Sequence, residues 1–289
     1  MNVGLGLPIG DPRTLLDWAR RADAGPFSTI GLLDRLVYDN PEPLVTLAAL
    51  AGATTRIRVQ TGVLIAPMRQ PALMAKQAAT LDRLSGGRLT LGIGLGARRD
   101  DYLAAGVELR GRGALLDEIM TVLRRVWSGG PYGVGVGPIG PAPAREGGPE
   151  VLFGTFSPAG IQRIARFGDG LLCSAPPAEM TRLFRATEQA WQAAGRDGRP
   201  KLVAQVNAAL GPDAVIEEAR GQLHRYYSGP QFLNAPDDYA DSTVRRMLGT
   251  RDQIHDALGR ARDMGADEVM FYCWSKDVDQ VDRFADVMP

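Results

Sequence analysis

Four stretches of the chain carry residue types that could do chemistry. "LLDRLVY" (32–38) sets Asp34 beside Arg35 at the end of an apolar run; the two serve equally as an ordinary ion pair or as fixed charges in a site. "GIGLGARRDD" (92–101) is rich in glycine, but its G-x-G-x-G-A spacing is not the G-x-G-x-x-G of a dinucleotide fold. Its glycines read as room for a ligand or a neighbouring backbone to come close. "TGV" (61–63) ends an apolar run with a glycine, the mark of a turn or bulge. "GTFSPAGIQRIARFGDG" (154–170) offers Ser157 as a helix cap, Pro158 as first helical residue and Gly168 as the stop. Capping explains that stretch completely, yet the same helix start, with its dipole and free N–H groups, would also seat a phosphate.

Other chemistries find little support. The two histidines, His224 and His255, fall inside helix patterns, and no G-x-S-x-G elbow occurs, so neither a zinc site nor a serine triad is indicated. No metal site is expected. Cys173 and Cys273, one near the end of each of two apolar strands, read as buried structural thiols. Thirty-three basic residues balance 33 acidic ones, which argues against nucleic acid and against a membrane surface as partners. Low cysteine usage, a start without signal-peptide character and the lack of a long apolar window lead us to expect a cytoplasmic protein.

These residues need a scaffold, and the chain alternates short apolar runs with amphipathic helix patterns almost throughout. Runs at 3–7, 28–33, 57–65, 89–94, 150–154, 169–175, 201–210 and 267–274 read as buried parallel strands. Helices are expected at 13–24, from Pro41 with Asn40 as N-cap, at 71–84, 113–127, 158–167, 177–195, within 213–227 and 237–264, and at 277–287. Eight strand-helix pairs predict an α/β fold of the (β/α)8 TIM-barrel type over 1–289 as one domain, with extra helices between strands seven and eight; an open doubly wound sheet is the alternative. The segment 128–149 holds eight glycines and five prolines in 22 residues, which predicts a flexible loop or lid without regular structure, inserted after the fourth helix. Barrel chemistry sits where strands run into helices. That nominates Leu7-Pro8, Asp34-Arg35, Thr61-Gly62-Val63, Gly94 to Asp100, Gly154 to Ser157, Cys173-Ser174, Asn207 and Tyr272-Cys273-Trp274.

Several of these features occur together in one family. With segments 32–107, 152–172 and 249–272, and above all the run "AKQAATLDRLSGGRLTLGIGLG" (75–96), the chain resembles the luciferase-like oxidoreductases, flavin- and deazaflavin-dependent (β/α)8 enzymes. The resemblance implies a cofactor ring across the top of the barrel, near Leu7 and Asp34. It implies a bulge at Thr61, Gly62 and Val63, often with a non-proline cis peptide, behind that ring. It places the cofactor tail along Gly94, Gly96 and Ala97, and the phosphate at Gly154, Thr155, Phe156 and Ser157.

The resemblance leaves two cofactors open. With FMN a member is a monooxygenase using O2; with coenzyme F-420, the deazaflavin, a hydride passes to an organic acceptor. Arg69, Arg98 and Arg99 would suit the extra anionic groups of the deazaflavin, and the expectation favours it. Asp34 and Arg35 stand where the family often has Asp-His and are the candidate catalytic residues, although arginine cannot shuttle a proton as histidine does. The substrate is expected to be a small, largely apolar organic molecule in contact with Tyr38, Tyr272, Trp274 and the 128–149 segment. A homodimer is a family-level expectation, and a flavin-binding barrel without catalysis is the remaining alternative.

Overall fold

Eight of the apolar runs become parallel strands in a computed structural model that describes residues 1–288. They are β1 (Asn2–Gly6), β2 (Thr29–Leu32), β3 (Arg58–Thr61), β4 (Leu89–Gly94), β5 (Glu150–Gly154), β6 (Gly170–Cys173), β7 (Lys201–Ala208) and β8 (Glu268–Cys273). Neighbours in sequence pair with one another, and β1 closes on β8 through Leu5 opposite Phe271. The link from β3 to β4 comes through Val59 opposite Leu89, so the sheet is a closed eight-stranded barrel as expected. Period-two alternation divides β8: Val269 and Phe271 join the large cluster under the helices, whereas Met270 and Tyr272 fill the barrel interior with Leu152, Leu172 and Val203. Gly4 and Gly6 of β1 make that filling possible. A Cβ at the first would collide with Met270 and at the second with the Tyr272 ring.

The helices are α1 (Pro12–Ala24), α2 (Pro43–Gly52), α3 (Pro71–Leu84), α4 (Arg99–Ala105), α5 (Arg112–Trp127), α6 (Pro158–Phe167), α7 (Pro177–Ala193), α8 (Asp213–Tyr227), α9 (Tyr239–Arg245), α10 (Arg251–Asp263) and α11 (Gln280–Ala285). Five of them carry proline in the first helical positions, where its missing N–H has no partner to lose. The second helix departs from expectation: it starts at Pro43, because the Glu42 carboxylate, not Asn40, accepts the Val45 N–H at 2.7 Å. A short helix, α4, follows the Gly-rich stretch after β4, where none was expected. Three helices, α8 to α10, lie between β7 and β8, in line with the expected extra material. No helix among the described residues is long and apolar enough to cross a membrane.

The Gly/Pro-rich segment corrects two expectations. It contains a small antiparallel hairpin, Pro131–Gly133 with Val136–Pro138, so some regular pairing survives the composition. It also joins the end of α5 to the start of β5, which puts it on the amino-terminal face of the barrel. There Lys76 Nζ of α3 donates to the Gly140 carbonyl at 2.6 Å, Arg124 to the Gly147 carbonyl at 2.9 Å, and the Ala144 N–H to Asp82 at 2.8 Å. A lid must sit over the opposite face, and none of 128–149 lines the chamber found there.

Candidate active site

The carboxyl ends of the strands open into a chamber of about 620 Å3. Its floor is made where β3 breaks. After Thr61 the Gly62–Val63 peptide is cis, as the resemblance implied, and the chain then pairs again through Leu64 and Ile65, opposite Ile93 and Gly94 of β4. The Val63 side chain crosses the ends of β4 and β5. A Cβ on Gly94 would lie 2.5 Å from Val63 Cγ2, and one on Gly154 would lie 2.7 Å from Val63 Cγ1. Those two glycines are therefore the seat of the bulge and need not touch a ligand themselves. From below, Tyr272 fills the space that Gly62 leaves free, and its hydroxyl accepts a 3.1 Å hydrogen bond from Gln205 Nε2.

Asp34 and Arg35 line the chamber but do not pair with each other. The Asp34 carboxylate takes both guanidinium nitrogens of Arg69, at 2.7 and 3.1 Å, and the Ile65 N–H at 2.8 Å. It thereby pins the strand segment that follows the floor. Arg35 is buried: its Nε donates to Asp101 at 2.7 Å, its Nη2 donates to the Val37 carbonyl at 2.9 Å, and Tyr38 and Tyr226 flank the guanidinium at 5.2 and 5.6 Å. Both side chains are held as parts of the wall. Neither geometry is that of a free proton carrier.

One corner of the chamber is cationic. Ser157 Oγ accepts the Gly160 N–H at 3.1 Å, and Thr155 Oγ1 accepts the Ser157 N–H at 3.2 Å, so α6 starts as the sequence predicts. Its first turn leaves the Ala159 N–H without an acceptor among the described residues. Arg112, at the start of α5, and Arg163, on α6, line the same chamber, and Arg163 packs beside Gly113. Arg163 is paired with Asp117 at 2.6 Å. Arg112 has no carboxylate partner among the described residues, and its Nη1 is buried with no hydrogen bond at all. A buried guanidinium nitrogen left unpaired is costly and fits an anion such as a phosphate.

The opposite wall is aromatic. Tyr226 and Tyr227 end α8, Phe232 and Leu233 follow on the connecting segment, and Tyr239 begins α9. Tyr226 lies 5.1 Å from Trp274 and 5.2 Å from Tyr38, and Tyr227 stacks on Phe232 at 5.7 Å. Backbone pairing fixes this wall to the Gly-rich stretch: Leu233 N–H donates to Ala97 O at 2.8 Å and Arg99 N–H to Gln231 O at 2.9 Å. Arg98 holds it as well, stacked 4.8 Å from the Phe232 ring and bonded to the Ser228 carbonyl and Asp100. Burial pushes the phenols of Tyr226, Tyr227 and Tyr272 up, so all three are neutral donors at ordinary pH.

Of the residues nominated by sequence, Asp34, Gly62, Val63, Gly94, Gly96, Ala97, Gly154, Thr155, Phe156, Ser157, Tyr272 and Trp274 converge on the chamber, as do Arg35 and Asn207. Leu7, Thr61 and Tyr38 do not line it. Leu7 is core, Thr61 Oγ1 is bonded to the Gly92 carbonyl at 2.7 Å, and Tyr38 stands behind Tyr226. Arg112, Arg163, Gln205 and the tyrosines of α8 and α9 were missed. Only Gln205 carried a signal: it and Asn207 are polar residues two apart in an otherwise apolar strand. Among the described residues no group of His, Cys, Asp and Glu is placed to hold a metal.

Solved structures share this architecture. The monooxygenase RslO1 from Streptomyces bottropensis superposes with a TM-score of 0.82 at 23% identity, covering 99% of this chain and 97% of its own. An F420-dependent secondary alcohol dehydrogenase gives 0.83 at 19%, covering 100% and 98%. At such identities the likeness concerns the fold. In sequence, an uncharacterized protein of Mycobacterium tuberculosis is 32% identical over 171 residues, 56% of this chain and 60% of that relative. The chain thus matches about 60% of that relative's length. The model of the luciferase-like monooxygenase family matches residues 2–271, and the chain belongs to that family.

Proposed function

We propose that the chamber binds reduced FMN and that the chain is an FMN-dependent oxidoreductase acting on an aromatic, largely apolar organic molecule. Arg112 carries this reading. Four arginines line the chamber, and it alone among them has no carboxylate partner among the described residues. One free cation beside one helix start suits one phosphate. Arg112 and the Ala159 amide would hold that group, Gly62 and Val63 would back the ring, and Tyr226, Tyr227 and Trp274 would face the substrate. The cofactor, when bound, supplies the electrons and the reaction with oxygen. The protein's share is placement, an aromatic wall and neutral phenols that donate hydrogen bonds.

The deazaflavin is the second reading. Its support from Arg69 and Arg98 falls away, because Arg69 is bound to Asp34 and Glu42 and Arg98 to Asp100. Arg99 still favours it: exposed beside the chamber-lining Arg98 at the start of α4, it makes no ion pair among the described residues and could meet a longer anionic tail. Side-by-side fluorescence titration with FMN and the deazaflavin tests the choice. FMN is expected to bind at least tenfold tighter, about 1.4 kcal/mol; a tenfold preference for the deazaflavin would reverse it.

A further inference from the structure

The aromatic wall also carries polar groups that the protein does not use. Asn207 Oδ1 accepts the Trp274 indole N–H at 2.8 Å, which fixes the amide and leaves its Nδ2 donor unbonded on the chamber side of β7. Among the described residues the hydroxyls of Tyr226, Tyr227 and Tyr239 have no hydrogen-bond partner, yet none is among the fully enclosed unpaired atoms, so each still reaches open space. Such groups are hydrated while the chamber is open. A hydrocarbon ring that displaced their water would leave every one of them unsatisfied. Tyr226, Tyr227 and Trp274 are inclined to one another by 57 to 73°, so a flat ring bearing oxygen would stack on one of them, meet the others edge-on and also reach these donors.

The geometry points to a substrate class: a planar aromatic molecule carrying phenolic or carbonyl oxygen, read by the Asn207 amide and the hydroxyls of Tyr227 and Tyr239. This rests on reading the chamber as the place where cofactor and substrate meet, and it makes those three residues determinants of specificity. They select the molecule by its oxygens, whereas the rings around them select only for flatness.

The probes are 2-naphthol and 2-methylnaphthalene, which have nearly the same shape and differ by a hydroxyl in place of a methyl. Binding to the full chain is followed by the probe's own fluorescence. Partition into a greasy pocket favours the methyl compound, so a preference of at least tenfold for 2-naphthol is the expected sign of reading by hydrogen bonds. Tyr227→Phe with Tyr239→Phe removes two hydroxyls without a partner among the described residues, and Asn207→Leu removes the amide. At least one of these variants should bring the preference below threefold. A wild-type chain without preference for 2-naphthol, or a full preference kept in both variants, overturns the proposal. FMN titration of the same preparations reads the cofactor separately. Naphthol preference without FMN binding would sink the proposed function and leave the substrate class standing, and the reverse pattern would sink the substrate class alone.

Discussion

Replacing Asp34 by alanine tests whether this side chain is a reagent or a fastening. Its carboxylate is nearly enclosed, with 3% of the side chain exposed against 17% for Arg69, and it accepts three hydrogen bonds. Breaking a buried pair by removing one partner costs about 3–5 kcal/mol, because the other charge stays behind. Arg69 keeps Glu42 at 3.1 Å, which lowers the figure, and loss of the Ile65 N–H bond adds about 1 kcal/mol. The expected destabilisation is about 3 kcal/mol, read as a lower urea midpoint at unchanged slope. Adding Arg69→Met to Asp34→Ala removes the stranded charge and should recover more than half of the loss. Because Ile65 lies two residues beyond Val63, Asp34→Ala should also weaken FMN binding. A cost below 1 kcal/mol, or strictly additive effects of the two substitutions, would refute the reasoning.

Other consequences are equally direct. Gly154→Ala brings a Cβ to 2.7 Å from Val63 Cγ1, so FMN binding should weaken about tenfold, and Val63→Ala in the same chain should restore it; fluorescence titration of both variants decides. At Asp23 partial desolvation pushes the carboxyl up, but N–H donors from Thr55, Ile57 and Arg56 outweigh it and hold the group at about 2. A depressed carboxyl contributes stability that is complete above about pH 4 and is lost as pH falls towards 2, so Asp23→Asn should cost about 2 kcal/mol at pH 6 and much less at pH 2 in urea titrations. Burial pushes Cys173 up to about 11 and raises Cys273 too. Both thiols should therefore ignore an aromatic disulfide reagent in the folded chain and react within seconds once it is unfolded.

The barrel was legible because burial on both faces leaves parallel strands as apolar runs, and because proline and capping residues mark where helices begin. Residues 71–84 and 158–167 fold as helices with those boundaries. The cis bulge was reached through the resemblance and falls where it implied, whereas the helix start after β5 was already marked by Ser157 and Pro158. What stayed hidden depends on contacts between distant segments. Arg112 looks like any other basic residue in "LRGRGA", and only the fold shows that its Nη1 lacks a partner. Arg98 and Arg69 looked free in sequence and are held by Asp100 and Asp34. Glycine and proline mark 128–149 as a connection but not the face it lies on; the wall is built instead by 226–239, whose aromatic residues follow no helical or strand period.

The central claim is that Arg112 and the start of α6 form a phosphate seat within a flavin chamber. Comparing FMN with riboflavin, which lacks the phosphate, in wild-type chain and in Arg112→Met tests it most directly. The account predicts that wild-type chain binds FMN at least tenfold tighter than riboflavin. It predicts that Arg112→Met removes most of that difference by weakening FMN while leaving riboflavin within twofold. Equal affinity for the two ligands in the wild-type chain, or an FMN affinity indifferent to Arg112, would contradict it.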